Sequence, residues 1–125
     1  MKYTLIIPGR LDNLNDYIRA ERANRYKGAQ YKANNEAIVA GAIKECLRGI
    51  HINKPVNVLF RWYEKNKRRD PDNISSFGHK VILDALVNAK VIEDDGWNYI
   101  KSIADEFYVD PENPRIDVTL LEVGG

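Results

Sequence analysis

The chain reads as a single small α+β domain, with about three helices packed on a mixed sheet of about four strands. Three observations predict this. Alternating apolar residues and three-and-four apolar spacing both occur, in segments of ordinary strand and helix length. The 125 residues suit one modest core. A hydrophobic share of 44% beside a charged share of 30% excludes a disordered chain.

Tyr3–Ile7 predicts a short strand ended by Pro8-Gly9. Asp12-Asn13-Leu14-Asn15 offers capping residues for a first helix to about Arg22. Arg25 and Lys27 are expected in a loop, with Gly28 as the break. A longer helix follows from about Gln30 to Arg48. Its apolar stripe is Ile38, Val39, Ala42, Ile43, Cys46 and Leu47, so Cys46 is expected buried, and Gly49 fits a C-cap. Val56–Tyr63 is the clearest strand, with Val56, Val58, Phe60 and Trp62 on one face. A third helix runs from about Asn73 to Asn88, its core stripe Ile74, Phe77, Val81, Ile82, Ala85 and Leu86, its polar side Ser76, Lys80 and Asp84. Two more strands, about Trp97–Tyr108 and Arg115–Val123, are expected to pair as a hairpin through Asp110-Pro111-Glu112-Asn113-Pro114. Trp62 and Trp97 are both expected in the core, with stacking platforms for bases as the other reading, and His79 is expected on the surface, with a place beside the acidic site as the other reading.

One cysteine, Cys46, rules out an internal disulfide, and with His51 and His79 alone beside it a Cys/His zinc site is excluded. No apolar run approaches the ~20 residues of a membrane span, and the N-terminal apolar run is too short for a signal peptide. No membrane partner and a cytoplasmic location are the expectations. Charge is divided along the chain. Residues 1–69 carry 15 Lys and Arg against 6 Asp and Glu, a net of +9. Residues 70–125 carry 4 against 12, a net of −8. That division predicts a polyanion-facing surface and a local acidic feature, unless the halves interleave on folding.

The sign changes at Arg68-Arg69-Asp70-Pro71-Asp72-Asn73. Pro71 pushes Asp70 toward extended geometry, where residues i and i+2 point the same way, so Asp70 and Asp72 could converge on a hard cation. The same residues also make an ordinary helix start, with Asp70 as N-cap, Pro71 at N1 and Asp72 complementing the dipole. Glu93-Asp94-Asp95-Gly96 is likewise either a second acidic cluster or a solvated turn.

Taken together, Arg68–Asn73, then Lys80-Val81-Ile82-Leu83-Asp84-Ala85-Leu86, then Val91-Ile92-Glu93-Asp94-Asp95, resemble the RusA family of Holliday junction resolvases. The resemblance covers residues 56 to 123; toward the N-terminus it rests on Pro8, Asn15 and Tyr17. It implies a RusA-like homodimeric domain over residues 1–125, of phage or prophage derivation. The activity implied is Mg²⁺-dependent cutting of four-way DNA junctions by paired symmetric nicks, in recombination and repair, with Mn²⁺ as a substitute cation. It places the essential aspartates on Asp70, Asp72 and Asp95, with Asp94 beside them as a further metal ligand, and the important lysine on Lys80. The spacing from Asp72 to Lys80 is about one helical turn longer than the family pattern, and Lys80 also suits an i, i+4 pair with Asp84.

Lys65, Lys67, Arg68 and Arg69 are the first candidates for phosphate contacts, followed by Arg19, Arg22, Arg25, Lys27 and Lys32. A helix over Asn73–Asn88 is about 24 Å long, and the few residues from its end to Asp95 reach roughly 20 Å at most. One chain would need its full tether to bring Asp95 back to Asp72. A two-fold dimer with sites shared between subunits does so more simply. Two other readings remain: a branched-DNA-binding protein without cleavage activity, and a D-x-D metal enzyme acting on nucleotide sugars, whose usual nucleotide-binding architecture fits 125 residues poorly.

Overall fold

A computed structural model describes residues 1–124. In chain order the elements are β1 (Lys2–Pro8), α1 (Leu14–Ala23), α2 (Arg25–Cys46), β2 (Val56–Glu64), α3 (Pro71–Asn88), β3 (Ile100–Val109) and β4 (Arg115–Glu122). The four strands form one mixed sheet in the order β1-β4-β2-β3. β4 runs antiparallel to both β1 and β2, while β3 runs parallel to β2. This is the small α+β domain, with four strands and three helices, that the patterning predicts.

The core lies between the helices and one sheet face. Leu5 and Ile7 of β1, Val56, Val58, Phe60 and Trp62 of β2, and Ile116, Val118 and Leu120 of β4 are buried there. α3 answers with Ile74, Phe77, Val81, Ile82, Ala85 and Leu86, and α2 with Val39, Ala42 and Ile43. The expected core stripes of β2 and α3 are therefore the real ones.

Several expectations need correction. The β3–β4 hairpin does not exist. β3 joins the far side of β2, and the connection 110–114 passes over the end of β2, where the Asp110 amide donates to the Glu64 carbonyl at 2.7 Å. A parallel β3 is reached from β2 through the α3 crossover. Gly28 does not end a segment: it lies inside α2, whose N-cap is Asn24. A Cβ there would meet Glu21 at 3.0 Å, so the glycine permits the close approach of α1 and α2. Arg25 and Lys27 are accordingly helical. Cys46 is exposed at the end of α2, as is Ile38 along it. Trp97 is not in the core; it stands in the turn before β3 and is 99% exposed.

Candidate functional site

The β2–α3–β3 unit places the two acidic clusters. β2 ends at Glu64, the basic segment 65–69 rounds the end of the sheet, and α3 begins at Pro71 with Asp70 as N-cap. Pro71 supplies the preset φ of a first helical residue, and the Asp70 backbone is extended at ψ 142°. α3 then returns along the sheet, and residues 89–99 lead into β3 at the opposite end. Nine residues of β2 span about 26 Å at 3.3 Å per step. Asp70 and Asp72 lie at one end of that span, Asp94 and Asp95 at the other. Among the described residues no three His, Cys, Asp or Glu side chains are grouped to hold a metal ion. Within one chain the four aspartates thus stand apart.

The four carboxylates share another property. Asp70 makes no side-chain cap hydrogen bond. Among the described residues none of Asp70, Asp72, Asp94 and Asp95 enters an ion pair, and none of the four side chains accepts a hydrogen bond. Ser76 donates only to the Asp72 backbone carbonyl. Hard oxygen donors left free at a helix start and in a turn suit a divalent cation that keeps part of its water shell.

The cations divide into tied and free. Arg69 is tied. Its Nε and Nη2 donate to the two carboxylate oxygens of Glu64 at 2.9 and 2.8 Å, and Nη1 donates to the Leu11 carbonyl at 2.8 Å. Glu64 is only 6% exposed, and Arg10 approaches it at 3.5 Å. This buried fork anchors the 65–69 segment, and it occupies Arg69, unlike Lys65, Lys67 and Arg68. Lys32 is held by Glu36 and Asp84, and Arg19 by Asp16 at 3.8 Å. Lys65, Lys67 and Arg68 have no acidic side-chain partner among the described residues, nor do Arg22, Arg25 and Lys27. Three free cations thus stand immediately before Asp70.

Lys80 lies eight residues beyond Asp72, about 12 Å along the helix axis. Its ammonium reaches Asp84 at 3.4 Å, the i, i+4 pair that the spacing allowed. The helix face of Asp72 carries Ser76 and His79 instead. His79 Nε2 is 2.7 Å from Asp105 Oδ1, which also accepts from Trp62 Nε1 at 2.8 Å. The ring packs on Phe60, 4.6 Å between centroids. Sequence patterning missed this ordered pair because its members are 26 residues apart on different elements.

Beside Asp70 opens a cleft of about 440 Å³. Pro71, Ile74, Phe107 and Val109 form its apolar walls, and Asn66, Lys67 and Asp70 stand at its rim. No helix is long and apolar enough to cross a membrane among the described residues. Against known families and curated proteins, no family model and no curated protein matches this chain.

Proposed function

We propose that the protein is a divalent-metal-dependent nuclease of branched DNA, of the Holliday junction resolvase type, acting as a two-fold homodimer. The observation that carries this reading is the set of four unpaired aspartates at opposite ends of the parallel β2–β3 pair, with free Lys65, Lys67 and Arg68 beside one cluster. A two-fold axis near the middle of β3 would set the start of each β3 beside the end of the other. Asp70 and Asp72 of one subunit would then share a Mg²⁺ with Asp94 or Asp95 of the second. Bound there, the cation would polarise a phosphodiester and help form the attacking hydroxide. Lys65, Lys67 and Arg68 would hold the flanking phosphates and aim the backbone at the carboxylates. Arg69 would keep that segment in place through Glu64. Two symmetric sites match the two symmetric nicks that resolution of a four-way junction requires.

The test is nicking of a synthetic four-way junction with Mg²⁺. Wild type is expected to give paired symmetric nicks, and Asp72→Asn and Asp95→Asn none. Mixing the two inactive variants regenerates one intact shared site per mixed dimer, so nicking should return to a fraction of the wild-type rate. No recovery in the mixture would reject the shared site, and no nicking by wild type would reject the nuclease. The turn of Lys80 toward Asp84 favours one second reading, a junction-binding protein without cleavage. Tight binding of the junction with no nicks by any form would select it.

A further inference from the structure

Trp97 is almost wholly in water, at 99% exposure, which is unusual for the largest apolar side chain in a domain that otherwise builds a complete core. The apolar exposure around it is not scattered. Of ten exposed large hydrophobics, five are Trp97, Ile103, Phe107, Tyr108 and Val109, all on β3 or the turn leading into it. β3 is an outer strand of the sheet, so its far edge has no strand partner among the described residues. Ile103, Phe107 and Val109 pair in register with Val58, Trp62 and Glu64, which are buried beneath the helices. The same face of β3 extends past that cover. The apolar cleft of about 440 Å³ lies at the end of β3, walled by Phe107, Val109, Ile74 and Pro71.

An uncovered tryptophan and an uncovered apolar cleft thus lie at opposite ends of one strand, about 30 Å apart along its ten residues. They cannot meet within a chain. We infer that each is the other's partner in a second copy: the two chains align antiparallel along β3, and Trp97 of each inserts into the cleft of the other. An isologous pair makes every contact twice, so one complementary knob and hole suffices to close the assembly. Charge favours a register. Counted by residue number, centring the pair on Ile103 brings Lys101, the extra residue where β3 shifts register against β2, toward the second copy's Asp105, whose Oδ1 also accepts from its own Trp62, and brings Trp97 toward the second copy's Val109. Centring it on Asp105 would set two carboxylates face to face. Asp95, two residues before Trp97, arrives with it beside Asp70. The inference therefore rests on the two-fold arrangement proposed above and assigns its seam; it does not depend on cleavage.

Sedimentation velocity over a concentration series tests it, on wild type, Trp97→Ala and Val109→Arg. Both changes are at exposed positions, and circular dichroism should confirm an unaltered fold. Wild type is expected to dimerise, each variant at least about tenfold more weakly. An equimolar mixture should recover part of the affinity, because Trp97 of the Val109→Arg chain still finds an intact cleft on the Trp97→Ala chain. In a Cys46→Ser background, Trp97→Cys with Val109→Cys should give a covalent dimer on oxidation, and neither cysteine alone should. A wild type that stays monomeric, a Trp97→Ala chain that dimerises as wild type, or no cross-link would overturn the seam. Paired nicking that persists in Trp97→Ala with wild-type dimer affinity would overturn the seam and leave the nuclease standing. An intact seam with no nicking would do the reverse.

Discussion

Gly78 sits where α3 crosses the indole of Trp62. A methyl group there would come within 2.3 Å of the ring, and that ring is 1% exposed with no room to swing away. Alanine is the better helix former by about 1 kcal/mol, but overpacking a closed contact costs more. Gly78→Ala should therefore lower stability by about 2 kcal/mol, seen as an earlier urea midpoint at unchanged slope. A second residue-scale effect concerns pH. Burial, helped by the Asp12 carboxylate, pushes the Tyr31 hydroxyl up to about 12 from its usual 10. A raised pKa means the folded chain keeps a proton that the unfolded chain loses first. That contribution is whole below pH 10 and disappears as pH rises through the folded value near 12. Alkaline unfolding followed by circular dichroism between those limits should be less steep in Tyr31→Phe. Tyr3, Tyr17 and Tyr108 are raised too, so the slope should shrink and not vanish.

Among elements, the segment between β2 and α3 combines two kinds of cation, and mutation should separate them. Arg69→Ala leaves the buried Glu64 carboxylate only Arg10 at 3.5 Å and should cost about 3 kcal/mol of folding stability. Lys67→Ala touches no ion pair and should leave the urea midpoint within about 0.5 kcal/mol. Its effect should appear in junction binding, as weaker affinity and a salt dependence reduced by about one phosphate contact. β2 and α3 were legible in the sequence because each carries an unbroken apolar period: Val56, Val58, Phe60 and Trp62 at two, and Ile74, Phe77, Val81 and Ala85 at three and four. α2 was misjudged at its start because glycine signals a break only when nothing else explains it. Gly28 is explained by Glu21 of α1, a contact that spacing does not reveal. The Asp70–Asp72 helix start and the reach of Asp95 followed from local geometry. The Glu64–Arg69–Arg10 fork, the His79–Asp105 pair and the Asn35 side chain, which takes up both the Asp12 amide and its carboxylate, did not. Each joins elements whose packing no short window contains.

At the scale of the molecule, strand order was the least legible property, and it alone refuted the hairpin. β3 and β4 are neighbours in sequence with a turn-like connection between them, so local chemistry favoured their pairing. The wider requirement that β4 bury Ile116, Val118 and Leu120 between β1 and β2 prevailed. This insertion also orders assembly in time. Among the described residues β1 pairs with β4 alone, and its register sets Lys2 opposite Leu121. On the ribosome, everything through β3 is made before β1 has a neighbour. A nascent chain stopped there would present two unsatisfied sheet edges, with Leu5 and Ile7 lacking the strand that completes their cover. Docking of β4 on β1 closes a loop of more than 100 residues, from Pro8 to Arg115, a slow step by the measure of contact order. Until β4 docks, the edges of β1 and β2 that it covers stand open to pairing with another chain.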